Sequence, residues 1–306
     1  MLIPFGILSA AAGGPAGRVG VAGYISSGTG VVNKIAFADD TASVLASGLS
    51  IVRRDHAGFS DSGVAGYIAG GATTPPFTPY ATVDKFAFPA DTRTTLATGL
   101  SVARRDLAGM SNYAVAGYVS GGEGASGRVS TVDKFAFPSD SRTTLASGLS
   151  ANRDQHAGAA NYNVAGYFAG GYDGSSNVAT VNKFAFPADT RSTLGTGLSE
   201  ARRGLGGMAD ALTAAYFFGG FAASNSDTVD KFAFPSDTRS VLGTGLSVAG
   251  QSYMGAANTG VAGYASGAST TTVDKFAFPT DTRTSLTLLF AAGPDNGGGF
   301  SDEGVF

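Results

Sequence analysis

Cysteine and tryptophan are absent from the 306-residue chain, and histidine occurs only at His56 and His156. Without cysteine there is no disulfide scaffold and no thiolate metal site. Two isolated histidines do not supply a His-rich metal centre. Charge is scarce as well: 14% of residues are charged and the net charge is −3. Nucleic acid or an anionic membrane would call for basic patches, so neither is expected as a partner. No apolar run approaches the roughly 18–20 residues needed to span a bilayer, so no membrane insertion is expected. No metal and no cofactor is implied.

What the chain does hold is glycine (46 residues) and phenylalanine (21). They recur with a period. "AGY" or a close variant places a tyrosine at 24, 67, 118, 167, 216 and 264, and "VDKFAF" or a variant places a lysine at 34, 85, 134, 183, 231 and 275. Successive lysines lie 51, 49, 49, 48 and 44 residues apart. Six units of about fifty residues follow, and such periods signal repeat architectures. The third unit reads as four strands over 106–111, 114–122, 131–137 and 142–149. Gly, Thr and Pro interrupt every window of helical length. Small antiparallel sheets repeated without helices predict an all-β, six-bladed β-propeller of four-stranded blades.

The two ends of the chain match each other. "GFSDEGVF" (299–306) resembles "GFSDSGVA" (58–65), whereas "VGVAGY" (19–24) begins at the second strand of a unit. The C-terminus is therefore expected to supply the innermost strand of a blade whose other three strands come from the N-terminus. That sharing would close a ring and remove exposed strand edges.

The Gly pairs at 70–71, 121–122, 170–171 and 219–220 and the aromatics Phe86, Phe135, Phe184, Phe232 and Phe276 resemble a kelch repeat. The fourth-strand tryptophan of that family is replaced by Leu96, Leu145, Leu194, Leu242 and Leu286. The resemblance covers residues 21–306 and implies a kelch-like fold; it carries no activity with it. The near-identical Gly/Ser/Thr/Ala-rich units also resemble propeller proteins of bacteriophage virions. A kelch-type copper oxidase or a sialidase-like propeller would need the missing Cys or Trp.

Residues 1–20 read as an apolar, Gly-rich arm, with Leu2, Ile3, Phe5, Ile7 and Leu8 as contacts to another subunit; an added strand or a cleaved signal are the alternatives. The repeated lysines are read as interblade ion pairs or bonds to loop carbonyls. His56 and His156 share a slot with Leu107, Leu205 and Tyr253, which marks a packing position. Asp91, Asp140, Asp189, Asp237 and Asp281 are read as turn caps.

Candidate binding residues are those that precede the first strand of a unit, Arg54, Arg105, Arg153 and Arg203, and those of the loops that vary between units, Phe77, Tyr80, Tyr172 and Phe221. Guanidinium groups suit carboxylates or anionic sugars. Exposed aromatics suit sugars or a protein contact. The sequence thus predicts a non-enzymatic structural or binding module. Its setting would be a multi-copy virion assembly (tail or capsid-associated), the arm docking on other virion proteins and the ring contacting protein or host-surface glycan. The alternative is an extracellular lectin or carbohydrate-active enzyme with a polar, acid-lined pocket near the axis.

Overall fold

Period-2 alternation broken every few residues by Gly, Pro or Asp yields short antiparallel strands and, among the described residues, no helix. A computed structural model describes residues 20–74, 76–267, 270–288, 290 and 297–303. Leu2, Ile3, Phe5, Ile7 and Leu8 of the expected arm lie outside the described residues.

Among the described residues most strands fall into six four-stranded antiparallel sheets, an arrangement that fits the blades of a propeller. The third sheet is typical, with strands Ala108–Asn112, Ala116–Ser120, Val132–Ala136 and Ser141–Thr144 in sequence order. Its first two strands are wholly buried, the third alternates, and the fourth is mostly exposed. The fourth strand is shorter than the sequence suggests and ends at Thr144. Leu145 and Leu149 still donate to the Val132 and Ser130 carbonyls, and Ser150 is the first to bond the next sheet, at Asn182. In the first sheet, Gly298–Ser301 pairs with Ala22–Ser26, followed by Val32–Ala36 and Thr41–Val44. The two ends of the chain thus build one sheet, as their sequences anticipate.

First strands pack on first strands. Ala57–Asp61 lies against Ala108–Asn112, which lies against Ala157–Asn161, then Gly206–Asp210, then Met254–Asn258; Gly298–Ser301 contacts both Met254–Asn258 and Ala57–Asp61. Each contact is made at a glycine. A Cβ added to Gly109 would overlap the carbonyl oxygen of Gly58, one on Gly158 that of Gly109, and one on Gly207 that of Gly158. Gly255 stands in the same way to Gly207, Gly299 to Gly255, and Gly58 to Gly299. A second set of glycines receives side chains: Phe59 fills the space over Gly117, Phe300 that over Gly66, and Met110 that over Gly166. In the fifth sheet the second-strand position is Ala215, and the residue at the matching first-strand position of the sheet before it is Ala159, small enough to admit the extra methyl.

The repeated lysine is an ion pair to the next sheet. Lys34 reaches Asp91, Lys85 Asp140, Lys134 Asp189, Lys183 Asp237, Lys231 Asp281 and Lys275 Asp40, all at 2.6–2.7 Å. The same carboxylates accept the tyrosine hydroxyls of Tyr24, Tyr67, Tyr118, Tyr167, Tyr216 and Tyr264 at 2.6–2.8 Å. Each ammonium lies 5.2–5.4 Å from the ring centroid of that tyrosine. The turn aspartates are therefore acceptors for the neighbouring sheet, which corrects their reading as turn caps. Their φ of +54° to +59° shows why Asp suits the turn, since a short polar side chain tolerates the left-handed region. Stacking completes each junction: Phe88, Phe137, Phe186, Phe234 and Phe278 lie on the tyrosines of the preceding sheets, and Phe37 lies on Tyr264, with centroids 5.1–5.5 Å apart.

Because Asp140 serves two donors from a half-buried position, Asp140→Ala should cost about 2 kcal/mol in urea unfolding. Asp140→Asn, which keeps an acceptor and tolerates the same φ, should cost roughly half as much. Equal losses for the two variants would show that the retained neutral acceptor contributes nothing and that the charge accounts for the whole effect.

Candidate functional site

The linkers that precede first strands and the loops that follow second strands meet on one face. Arg104–Arg105 pairs with Glu123–Gly124, which turns back to Gly127–Arg128. Equivalent bridges join Arg54 to Ala72, Asp154 to Tyr172 and Arg203 to Phe221. The loops that vary and the repeated arginines therefore share a surface, as the sequence suggests.

The arginines fall into two rows with different roles. Arg53, Arg104, Arg153 and Arg202 are enclosed. Arg104 donates to Asp133 at 3.0 Å and to the Val119 carbonyl at 3.1 Å, pinning the incoming linker onto its sheet. Arg53 and Arg202 do the same with Asp84 and Asp230. Arg153 belongs to this inner row, so it is not a loop-face binding residue. Its guanidinium is 1% exposed and donates to Asn182 and to the carbonyls of Phe168 and Thr180. In "NRDQ" (152–155) the single arginine aligns with the first of each "RR" pair, and Asp154 takes the outer place. With an amide opposite instead of a carboxylate, burial pushes the Arg153 guanidinium down to about 10.

The outer row carries the candidate site. The Arg105 guanidinium lies over Phe77 at 4.9 Å. Tyr172 has Arg128 over its ring at 4.7 Å and Arg203 at 5.1 Å, one from the neighbouring sheet on either side. Arg203 also lies over Phe221 at 5.2 Å. Guanidinium groups and aromatic rings thus alternate along an arc from the second sheet to the fifth. Five of the residues singled out in the sequence, Phe77, Arg105, Tyr172, Arg203 and Phe221, come together in it. Arg54 and Tyr80 lie on the same face, Arg54 beside Asp55 at 3.5 Å and Tyr80 tied by its backbone to Gly71.

Arg128 and Glu123 are part of the arc but were not singled out. They sit in a loop whose position recurs in other units but whose residues do not, Glu123 standing where those units have Ala72, Tyr172 and Phe221. Repetition therefore gives no signal for them. Glu123 accepts from Arg105 at 2.5 Å, Asp106 from Arg105 at 2.9 Å, and Asp154 lies 2.7 Å from Arg128. Oxygens of Asp106, Glu123 and Asp154 lie within 4.8 Å of one another, the one grouping among the described residues able to hold a metal ion. Arginine already supplies positive charge there. Burial and the nearby Asp55 push the Asp106 carboxyl up to about 8; burial pushes Asp154 up to about 6, against the pull of Arg128.

Inside the arc lies a polar cavity of about 580 Å³. Its lining includes Asp55, Asp106, Gln155, Gly204 and Ser252, all with φ between +53° and +64°. Each of the last four donates its backbone N–H to the carbonyl of the one before it, at 2.7–2.9 Å. His56 and His156 line the cavity, as do Arg54, Arg203 and Gln251. Both histidines are buried, with Nε2 against Ser26 and Ser120 respectively. Burial, then Arg53, pushes His56 down to about 3, and His156 is lowered by the same kinds of cause. At neutral pH both are uncharged, which suits the packing slot inferred for them.

No protein-family model matches the chain, and no curated protein matches its sequence. The kelch-like resemblance therefore rests on the residue pattern alone.

Proposed function

We propose that the six four-stranded sheets are the blades of a closed six-bladed propeller, and that this ring is a non-enzymatic binding module presenting its loop face to a partner. Closure is supported by contacts that return to their start, through Gly58 and Gly299 and through Lys275 and Asp40. The observation that carries the binding reading is the arc of stacked arginines and aromatics around a polar cavity, laid on a scaffold that otherwise repeats. Variable chemistry on a fixed frame is where specificity is usually placed. Arginine and aromatic residues are also the usual anchors of interfaces. A binding role is favoured over catalysis because the carboxylates at the arc are held by arginines and both histidines are buried and neutral. The setting we propose is a virion, with residues 1–20 docking on another subunit.

Two measurements test this reading. Deleting residues 1–18 should abolish co-sedimentation with particles while leaving the circular dichroism spectrum unchanged. Replacing Phe77 and Phe221 together by alanine should weaken attachment of the intact protein to its target surface about tenfold or more. Undiminished attachment would remove the loop face as the contact surface. A lectin reading is favoured by one observation, the polar cavity inside the arc, with Asp55 and Asp106 among its lining residues.

A further inference from the structure

Arg203 differs from its neighbours on the loop face. Arg54 has Asp55, Arg105 has Asp106 and Glu123, and Arg128 has Asp154. Among the described residues, the Arg203 side chain has no ion pair and no hydrogen bond, only the rings of Tyr172 and Phe221. Flanked by these aromatics, its planar fork is held in place before any ligand arrives, which lowers the ordering cost of binding. It lines the cavity.

The cavity walls are unlike each other. On the side of the fifth and sixth sheets stand Arg203, Asn225, Gln251 and Ser252, with no carboxylate among the described lining residues; on the opposite side stand Asp55, beside Arg54, and Asp106. In the sixth unit the place of Arg203 is taken by Gln251, so the cationic position is not repeated there. A volume of about 580 Å³ falls in the usual range for small-ligand sites and would hold one or two sugar rings.

We propose that this cavity is a binding site for an acidic saccharide, a uronic or sialic acid residue. Its carboxylate accepts both hydrogen bonds of the Arg203 fork, while its hydroxyls meet Asp55, Asp106 and Gln155. The two-sided wall favours a sugar over an acidic peptide. Hydroxyls hydrogen-bond a carboxyl group in either protonation state, whereas a peptide's second carboxylate would face Asp55. The inference rests on the loop face being a contact surface and names the ligand taken there.

The test is calorimetric titration of the intact protein with glucuronic acid and N-acetylneuraminic acid, against glucose, N-acetylglucosamine and hexaglutamate. An acidic sugar should bind at least about tenfold more tightly than its neutral counterpart. Arg203→Ala should weaken that binding by about 10- to 100-fold. Arg203→Lys, a charge without the fork, should fall between. Gln251→Glu, which offers Arg203 an internal carboxylate, should weaken it comparably without removing any arc residue. Equal binding of neutral sugars, tighter binding of hexaglutamate, or no heat with either acid at ~10 mM would each overturn the proposal. If titration is silent but the Phe77 and Phe221 replacements still abolish surface attachment, the saccharide site alone is lost and the binding reading stands.

Discussion

Gly158→Ala should destabilise the protein by about 3 kcal/mol, at the upper end of what overpacking costs. A methyl group there has no soft neighbour to displace: it would overlap the carbonyl oxygen and carbon of Gly109, backbone within the adjacent first strand. Relief requires the two sheets to separate, which strains the Lys134–Asp189 and Tyr118–Asp189 contacts of the same junction. Gly195→Ala is the control, since a Cβ there meets nothing within 4 Å. That variant should be neutral or slightly stabilising through the unfolded chain. Urea unfolding of both reads the difference, and equal midpoints would refute close backbone packing at these glycines.

Arg104→Met should cost about 3–5 kcal/mol, because it strips the counter-charge from a carboxylate with no exposed surface. Asp133 would keep bonds from Ser101 and Thr144, with Arg142 3.6 Å away, but would lose the guanidinium that neutralises it. The double variant Arg104→Met, Asp133→Asn should recover a large part of the loss, since no buried charge then remains. The fourth sheet shows that an amide is tolerated at this position, with Asn182 receiving Arg153. Failure of the double variant to recover stability would mean that linker anchoring through the Val119 carbonyl, and not charge, accounts for the loss.

The four-stranded units and the sheet shared by both ends were readable in the sequence, because each unit repeats its own strand pattern and the ends are complementary halves of that pattern. What joins the units was harder to read. The partner of Lys85 is Asp140, 55 residues on, and both residues also occur within every unit. A single repeat therefore offers a local reading, a turn cap, that hides the long-range one. The buried and outer arginines are adjacent in sequence, and strand alternation separates them only once the register is fixed; the lone Arg153 gave no such pair to align. On the loop face, aromatic and arginine types were legible as candidates, but not the cavity. Part of its lining is tied together by backbone bonds between sheets, from residues as different as Asp106, Gln155 and Ser252.

The shared first sheet sets an order on biosynthesis. Ala22–Ser26 is made early, but the strand that covers its inner edge, Gly298–Ser301, is made roughly 270 residues later. At ribosomal speeds of about 5–20 residues per second, that edge waits on the order of 15–50 s with unpaired backbone groups facing solvent. The strands of the other five sheets are all made before the first sheet can be completed. A nascent chain stalled short of residue 298 would carry an adhesive strand, so translation has to pass residue 301 before that edge is protected from other copies.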